Sequence, residues 1–398
     1  MPLVGLTGRA SPDLPATHWV VTWGASPSPA LANDAEMAKS HLLFKGQTLR
    51  EIVHTSLGGG RVRVRLSNVF GTESVRIGAA SIETRGGSGS TLTFGGRPFM
   101  VIPPNAIAIS DPVSLELPAS GDLAISLFLP DQARGAGIHY AASQTSYVAE
   151  GDLTASTAWP ATGDEVSYWA FLEGVDVEAP LSAFAVAAFG DSITDGAHST
   201  RNSNARWPDV LAGRLLARGG GAEIGVLNAG IGGNRILHDG VARIQFGVNA
   251  LARFDRDVLV QPGLRYLIVL EGINDIGHAG TSAPVTEAVT SEDLIGGLSQ
   301  LAERAHEHGL KVFAGTLTPF DGAAAGYFTP DKEKIRSGYN AWIRSAPILD
   351  GVIDFDQAIR DPDHPTQVLA AYDSGDHLHP NDAGYRAMGN AVDLGLFR

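Results

Sequence analysis

Three side chains stand out for their types and spacing. Ser192 lies in FGDSITDG, directly behind the apolar stretch AFAVAAF, and His379 lies in GDHLHPND, three residues after Asp376. A serine hydroxyl attacks a carbonyl carbon only when a base within hydrogen-bond reach takes its proton. An imidazole is such a base, and a carboxylate beside it fixes the ring's tautomer and stabilises the imidazolium that forms. Asp376 has the spacing to do both for His379, and that spacing favours His379 over its neighbour His377. On its own stretch Ser192 has a plainer reading, since serines at strand ends commonly cap or turn the chain.

Such residues need elements to carry them. From His18 to about Val177 the sequence reads as β structure. RVRVRLSN alternates, with Val62, Val64 and Leu66 on one side and Arg61, Arg63 and Arg65 on the other. HWVVTWG, LREIVHTSL, VSLEL and DLAISLFLP are further strands, separated by Gly-, Pro- and Asn-rich turns, and ALANDAEMAKS is the one helix candidate. Many short strands at this spacing predict a β-sandwich. After the Pro-bearing DVEAPLSAF the texture becomes alternating strand and helix. AFAVAAF, EIGVLN, YLIVL, KVFAGTL and GVIDF are the strands. Leu294, Leu298, Leu301 and Ala305 form the apolar stripe of one intervening helix, with Glu292 and Asp293 in its first turn and Gly309 closing it. RWPDVLAGRLLARG is another, with Pro208 in its first turn. Five strands separated by helices predict a parallel sheet covered on both faces. The expected division is an N-terminal β-sandwich domain over 1–177, with 1–16 irregular, and an α/β domain over 181–398.

In such a sheet function collects at the carboxyl ends of the strands. Gly190-Asp191-Ser192 comes directly after the first strand, NAGIGGNR after the second, EGIND after the third and GDHLHPND after the fifth. These four blocks, in this order, resemble those of the SGNH (GDSL-type) hydrolase superfamily, with isoleucine where leucine is usual after the serine. The resemblance implies a flavodoxin-like three-layer αβα domain with strand order 2-1-3-4-5. It implies Ser192, Asp376 and His379 as catalytic residues, and the Ser192 N–H, the Gly233 N–H and the Asn274 amide as the oxyanion hole. TLREIVHTSLGGGRVRVRLSNVFG ahead of a GDS block also resembles a bacterial two-domain branch of arylesterases and acylhydrolases. A rival α/β-hydrolase elbow requires Gly-x-Ser-x-Gly, and Thr194 stands where the last glycine belongs.

The 398-residue chain has a formal charge of −14 and no cysteine. An acidic surface repels phosphate backbones and anionic lipid, so neither nucleic acid nor membrane is expected as a partner. Thiol chemistry and thiolate metal sites are excluded outright. The opening MPLVGLTGRASPDLPA lacks a basic start followed by a long apolar core, so no signal peptide is expected there, although the resemblance suggests a secreted or periplasmic protein. His198, His238 and His278 come after the first three strands, but no pair has helical metal-ligand spacing and HExxH is absent, so neither metal nor cofactor is expected. Asp191, Asn228, Asn234 and Asp275 are expected to shape loops. His54 and the Arg61–Arg63–Arg65 row read as a solvated strand face, and Trp19, Trp23, Trp159 and Trp169 as core. The expected function is hydrolysis of short-chain acyl esters of small molecules or carbohydrate. A lipase or lysophospholipase for longer chains and a non-catalytic carbohydrate-binding protein are the alternatives. The loops GHAGTSAPVTEAVTSED and DGAAAGYFTPDKE, mostly small or polar, offer a long acyl chain little to rest on. Oligomeric state is not legible.

Overall fold

The structure, a computed structural model, describes residues 16–87, 89–157, 163–219, 223–240 and 243–398. The opening segment 1–15 and Trp159 lie outside the described residues. Two antiparallel sheets form the first part of the chain. In one, Thr17–Gly24, Leu172–Pro180, Gly59–Ser67 and Val113–Leu117 lie side by side, with Ile107–Ile109 also paired to Gly59–Ser67. In the other the order is Asp164–Val166, Ser146–Glu150, Gln47–His54, Asp122–Leu129, Ala79–Thr84 and Gly89–Thr91. Their inward residues, among them Val62, Val64, Leu66, Leu123, Ile125 and Leu127, are fully buried in a shared core, which makes the pair a sandwich. Trp23 and Trp169 meet edge to face in it at 4.9 Å.

The arginine row departs from the expected solvated face. Only Arg61 stays open, pairing with Glu178 on the neighbouring strand. Arg63 donates to Asp176 at 2.9 Å and lies over the Trp19 ring, while Arg65 is buried and bonds Gln261 from the second part of the chain. The strand runs under that second part as it proceeds, so its outward face is progressively covered and its charges need partners. His54 is likewise half-covered, held by Asp122 at 2.7 Å and Ser120 at 3.0 Å.

The last antiparallel strand ends at Pro180 and the first parallel one begins at Phe184. The five parallel strands are Phe184–Gly190, Ile224–Gly230, Leu264–Leu270, Lys311–Gly315 and Gly351–Ile353, in spatial order second, first, third, fourth, fifth. That is the order the resemblance implied. Every residue of FAVAAFG is buried, as a strand covered on both faces requires. Helix Ser291–Glu307 buries Leu294, Leu298, Leu301 and Ala305, and a reciprocal cap between Thr290 and Asp293 starts it. Helix Trp207–Arg218 begins with Pro208 in its first turn. Among the described residues no helix is long and apolar enough to cross a membrane.

The two parts of the chain are sewn together through polar atoms. The Val21 N–H donates to the Pro262 carbonyl at 3.0 Å. The Ser56 hydroxyl accepts the Val226 N–H at 2.8 Å and donates to the Thr22 carbonyl at 2.7 Å.

Candidate active site

Register puts the chemistry at one edge of the parallel sheet. Gly190 pairs with Gly230 on one side and Leu270 on the other, so the loops after these three strands leave from the same level. Directly after Gly190, the Asp191 carboxylate accepts the Ile193 N–H at 2.9 Å and caps a single helical turn, Ser192–Asp195. A side chain on Gly190 would overlap the Leu270 carbonyl and Thr194, so this tight strand-to-helix bend requires glycine. Ser192 sits in the first position of the turn, where its backbone N–H has no intrahelical acceptor.

The Ser192 hydroxyl lies 2.8 Å from His379 Nε2, and His379 Nδ1 lies 2.6 Å from Asp376 Oδ2. Asp376 Oδ1 accepts the backbone N–H groups of Leu378 and His379 at 3.0 and 2.8 Å, and the Ser374 hydroxyl at 3.1 Å. Burial pushes this carboxyl up, but the His379 side-chain and backbone bonds outweigh it and hold it well below the usual carboxylate range. Only the tautomer with its proton on Nδ1 suits an ionised Asp376, which leaves Nε2 to accept the serine proton. His377 faces elsewhere, paired to Asp373 at 2.6 Å.

Three donors meet Ser192 around one cavity. Among the described residues, neither the Ser192 nor the Gly233 N–H has a protein acceptor, and both residues line the cavity with Asn274 and His379. Gly233 has φ +78°, and a Cβ there would overlap the Phe246 ring, so only glycine fits. The Asn274 amide donates one hydrogen to the Asn234 carbonyl at 2.9 Å, and its oxygen accepts the Tyr327 hydroxyl at 2.6 Å. Together these fix the orientation of the amide. The expected loop-shaping residues do shape loops. Asn228 holds the Thr194 carbonyl and the Gly230 N–H. Asn234 holds the Phe246 and Val248 carbonyls, and Asp275 pins the Ile236 and Leu237 N–H groups.

The cavity measures about 310 Å³, and its walls include Tyr140, Ala141, Ile231, Phe246, Tyr327 and Leu378. The polar loops of the sequence therefore do not make a polar pocket. Tyr327 from the second of those loops faces it, and Phe246 and Ala141 come from stretches in which no active-site role was legible. Its lining contains no lysine or arginine, and burial with neighbouring Arg235, Arg243 and Lys332 drives His278 down to about 4, so that ring is neutral.

Residues 188–387, half of the chain, match the GDSL-like Lipase/Acylhydrolase family. The chain belongs to that family. It is an ester hydrolase of the GDSL type. Similar solved structures include the M. Smegmatis aryl esterase, at 19% identity over 52% of this chain and 95% of that one, TM-score 0.41. A variant of an acetyl-xylooligosaccharide esterase from Geobacillus Stearmophilus is 18% identical over 54% of this chain and 94% of its own, TM-score 0.41. A GDSL-like lipase from Bacteroides thetaiotaomicron VPI-5482 is 20% identical over 53% and 87%, TM-score 0.36. No curated protein matches the chain.

Behind the hydrogen-bonded serine, this GDSL hydrolase buries a set of charges. Arg253 is fully buried and donates to the Gly190 and Ala229 carbonyls at 2.9 and 2.8 Å, tying the ends of two strands, and to Asp257 at 3.0 Å. Burial pushes Asp191 up to about 7, Asp275 up to about 6, and Glu271 well above the usual range. Several carboxylates cannot share so dry a space ionised, and protonation relieves it. Of the three histidines after the strands, His198 lies 3.3 Å from Asp376 Oδ2, His278 lines the cavity, and His238 does neither. His198, Asp376 and His379 are the one group among the described residues whose ligand atoms are close enough for a metal. Asp376 and both nitrogens of His379 are already engaged there by hydrogen bonds, which an ion would have to break.

Proposed function

We propose that this hydrolase cleaves short-chain acyl esters through a covalent acyl-enzyme, with Ser192 as nucleophile, His379 as general base and Asp376 as its orienting carboxylate. The reading rests on the unbroken hydrogen-bond chain from Ser192 through His379 to Asp376, opening into a cavity with unused N–H donors. Ser192 Oγ attacks the carbonyl carbon as its proton passes to His379 Nε2. The carbonyl oxygen gains negative charge and takes hydrogen bonds from the Ser192 and Gly233 N–H groups and the Asn274 amide. The ester C–O bond then breaks, and His379 returns the proton to the departing alkoxide. Water repeats the sequence on the acyl-serine, giving up its proton to His379 and releasing the carboxylic acid.

The cavity supports the substrate class. At about 310 Å³ it stands at the small end of ligand pockets. With no lysine or arginine in its lining, and with His139 already paired to Asp195, it offers a charged ester no free counter-ion, and Phe246, Ile231 and Leu378 favour an apolar or aromatic part over a sugar. On p-nitrophenyl esters from acetyl to lauryl, kcat/KM is expected to peak at acetyl or butyryl. A maximum at the long chains replaces this reading with a lipase or lysophospholipase.

Tyr327 acts at one remove, by holding the Asn274 amide. Tyr327→Phe keeps the ring and leaves Asn274 Oδ1 without its donor. A buried acceptor so stranded costs about 1–3 kcal/mol, and the loosened amide is expected to lower kcat about tenfold with KM little changed. Steady-state kinetics on p-nitrophenyl acetate, with thermal melts to establish folding, measures this.

A further inference from the structure

One buried imidazole carries the antiparallel part of the chain to the reacting centre. His139 is 5% exposed and its ring lies 5.3 Å from that of Trp169. Its Nδ1 is 3.0 Å from the Ser26 carbonyl oxygen and its Nε2 is 2.9 Å from Asp195 Oδ1. A carbonyl oxygen only accepts, and so does a carboxylate oxygen, so both ring nitrogens carry protons and the ring is an imidazolium. The other oxygen of Asp195 accepts the Gly232 N–H at 3.1 Å. Gly232 is joined by one peptide bond to Gly233, and Asp195 closes the same helical turn that Ser192 opens.

We propose that His139, as an imidazolium, is a positioning residue: through Asp195 it holds the Gly232–Gly233 loop and aims the Gly233 N–H at the developing oxyanion. This rests on the reading of Gly233 as an oxyanion donor. A second tie runs beside the first. The Ser26 hydroxyl accepts from Arg253 at 3.3 Å, and Arg253 in turn grips the Gly190 and Ala229 carbonyls. Arg206, at the start of the helix Trp207–Arg218, donates to the Ala142 carbonyl close by. The contacts that His139 and Ser26 make from the antiparallel part therefore end on the loops that carry Ser192 and Gly233 and on the strand ends just ahead of them.

The charge on His139 gives the arrangement a pH signature. Burial opposes the charge, but the Asp195 carboxylate and the hydrogen bonds outweigh it and raise the histidine above its ordinary value, against Arg206. Asp195 and Arg206 are the charged groups facing the ring; His54 and Asp209 line the narrow cleft on one side of it, and His278, His379, Tyr140 and Tyr327 line the active-site cavity with it on the other. A raised value means that the ion pair is intact at low pH and is lost as pH rises through it. Activity therefore gains an alkaline limb above the ordinary histidine value of about 6.5.

The test is a pH series of kcat and KM on p-nitrophenyl acetate for wild type and His139→Gln. It is joined to ¹⁵N spectra of the histidine rings and the Gly232 amide. Misplacing a catalytic donor by up to about an ångström costs as much as a hundredfold, so kcat is expected to fall by roughly 10- to 100-fold. KM should change little, and the alkaline limb should vanish. The spectra should show two protonated nitrogens on His139 in neutral solution and a displaced Gly232 resonance in the variant. Superimposable pH profiles, or a singly protonated His139 ring, overturn the proposal. If His139→Gln does not fold, the wild-type alkaline limb and ring spectrum decide the matter. If no ester is turned over in a Ser192-dependent manner, the esterase reading falls. The spectra still decide whether the His139–Asp195–Gly232 chain exists.

Discussion

Ser192→Ala is expected to reduce kcat on p-nitrophenyl acetate by about a millionfold, the scale seen when a serine hydrolase loses its nucleophile. The methyl group fits where the hydroxymethyl was, in a site only 8% exposed, so the fold should be undisturbed. The donors proposed for the oxyanion and His379 stay in place and can still assist a water, which leaves a residual rate above the uncatalysed one. A rapid burst of p-nitrophenol before the steady state should also disappear, because no acyl-enzyme can form. A Ser192→Ala variant that kept even a hundredth of the wild-type rate would remove the serine mechanism altogether.

Asp376→Asn should be the next most damaging change, at about ten-thousandfold in kcat. The direction comes from the backbone around it. Asp376 Oδ1 is fixed by the N–H groups of Leu378 and His379, so an asparagine places its oxygen there and turns its NH₂ toward His379 Nδ1. His379 must then accept at Nδ1 and carry its proton on Nε2, the nitrogen that has to receive the serine proton. Volume, loop and hydrogen-bond count are preserved while the tautomer is reversed. Kinetics beside an unchanged melting temperature would establish that the loss is one of proton placement. Near-normal kcat in Asp376→Asn would mean that His379 is oriented by other contacts, with His198 the nearest ring at 5.3 Å.

Much of this was legible in the sequence, for identifiable reasons. FAVAAFG reads as a doubly covered strand because nothing in it tolerates water, and the helix at 291–307 because its stripe and its cap agree. The blocks around Ser192, Gly233, Asn274 and His379 were legible because each comes after a strand end, and register then brings those ends level. The arginines of RVRVRLSN were misread because alternation reports only that a face is turned from the sandwich core. It says nothing of Asp176, more than a hundred residues away in sequence, or of Gln261, which closes over Arg65. Tyr327 and His139 could not be recognised for the same reason. Each acts through one hydrogen bond to a residue 53 or 56 positions distant, and no local pattern marks a tyrosine or histidine for such a bond.

The cavity beside Ser192 has a divided ownership. Ser28, Tyr140 and Ala141 belong to the antiparallel part, while Ile231, Phe246, Tyr327 and Leu378 come from separate stretches of the parallel part. None of these is a member of the Ser192–His379–Asp376 chain. Heritable change in what the pocket admits can thus proceed apart from the proton path at Tyr140, Ala141, Ile231 and Leu378, whereas Tyr327 is tied to Asn274 and Phe246 packs against Gly233. The same division limits recombination. A foreign N-terminal segment grafted at Pro180 would bring its own wall, and with it a different preference, and on the His139 proposal it would hold the rate only if it also supplied a partner for Asp195.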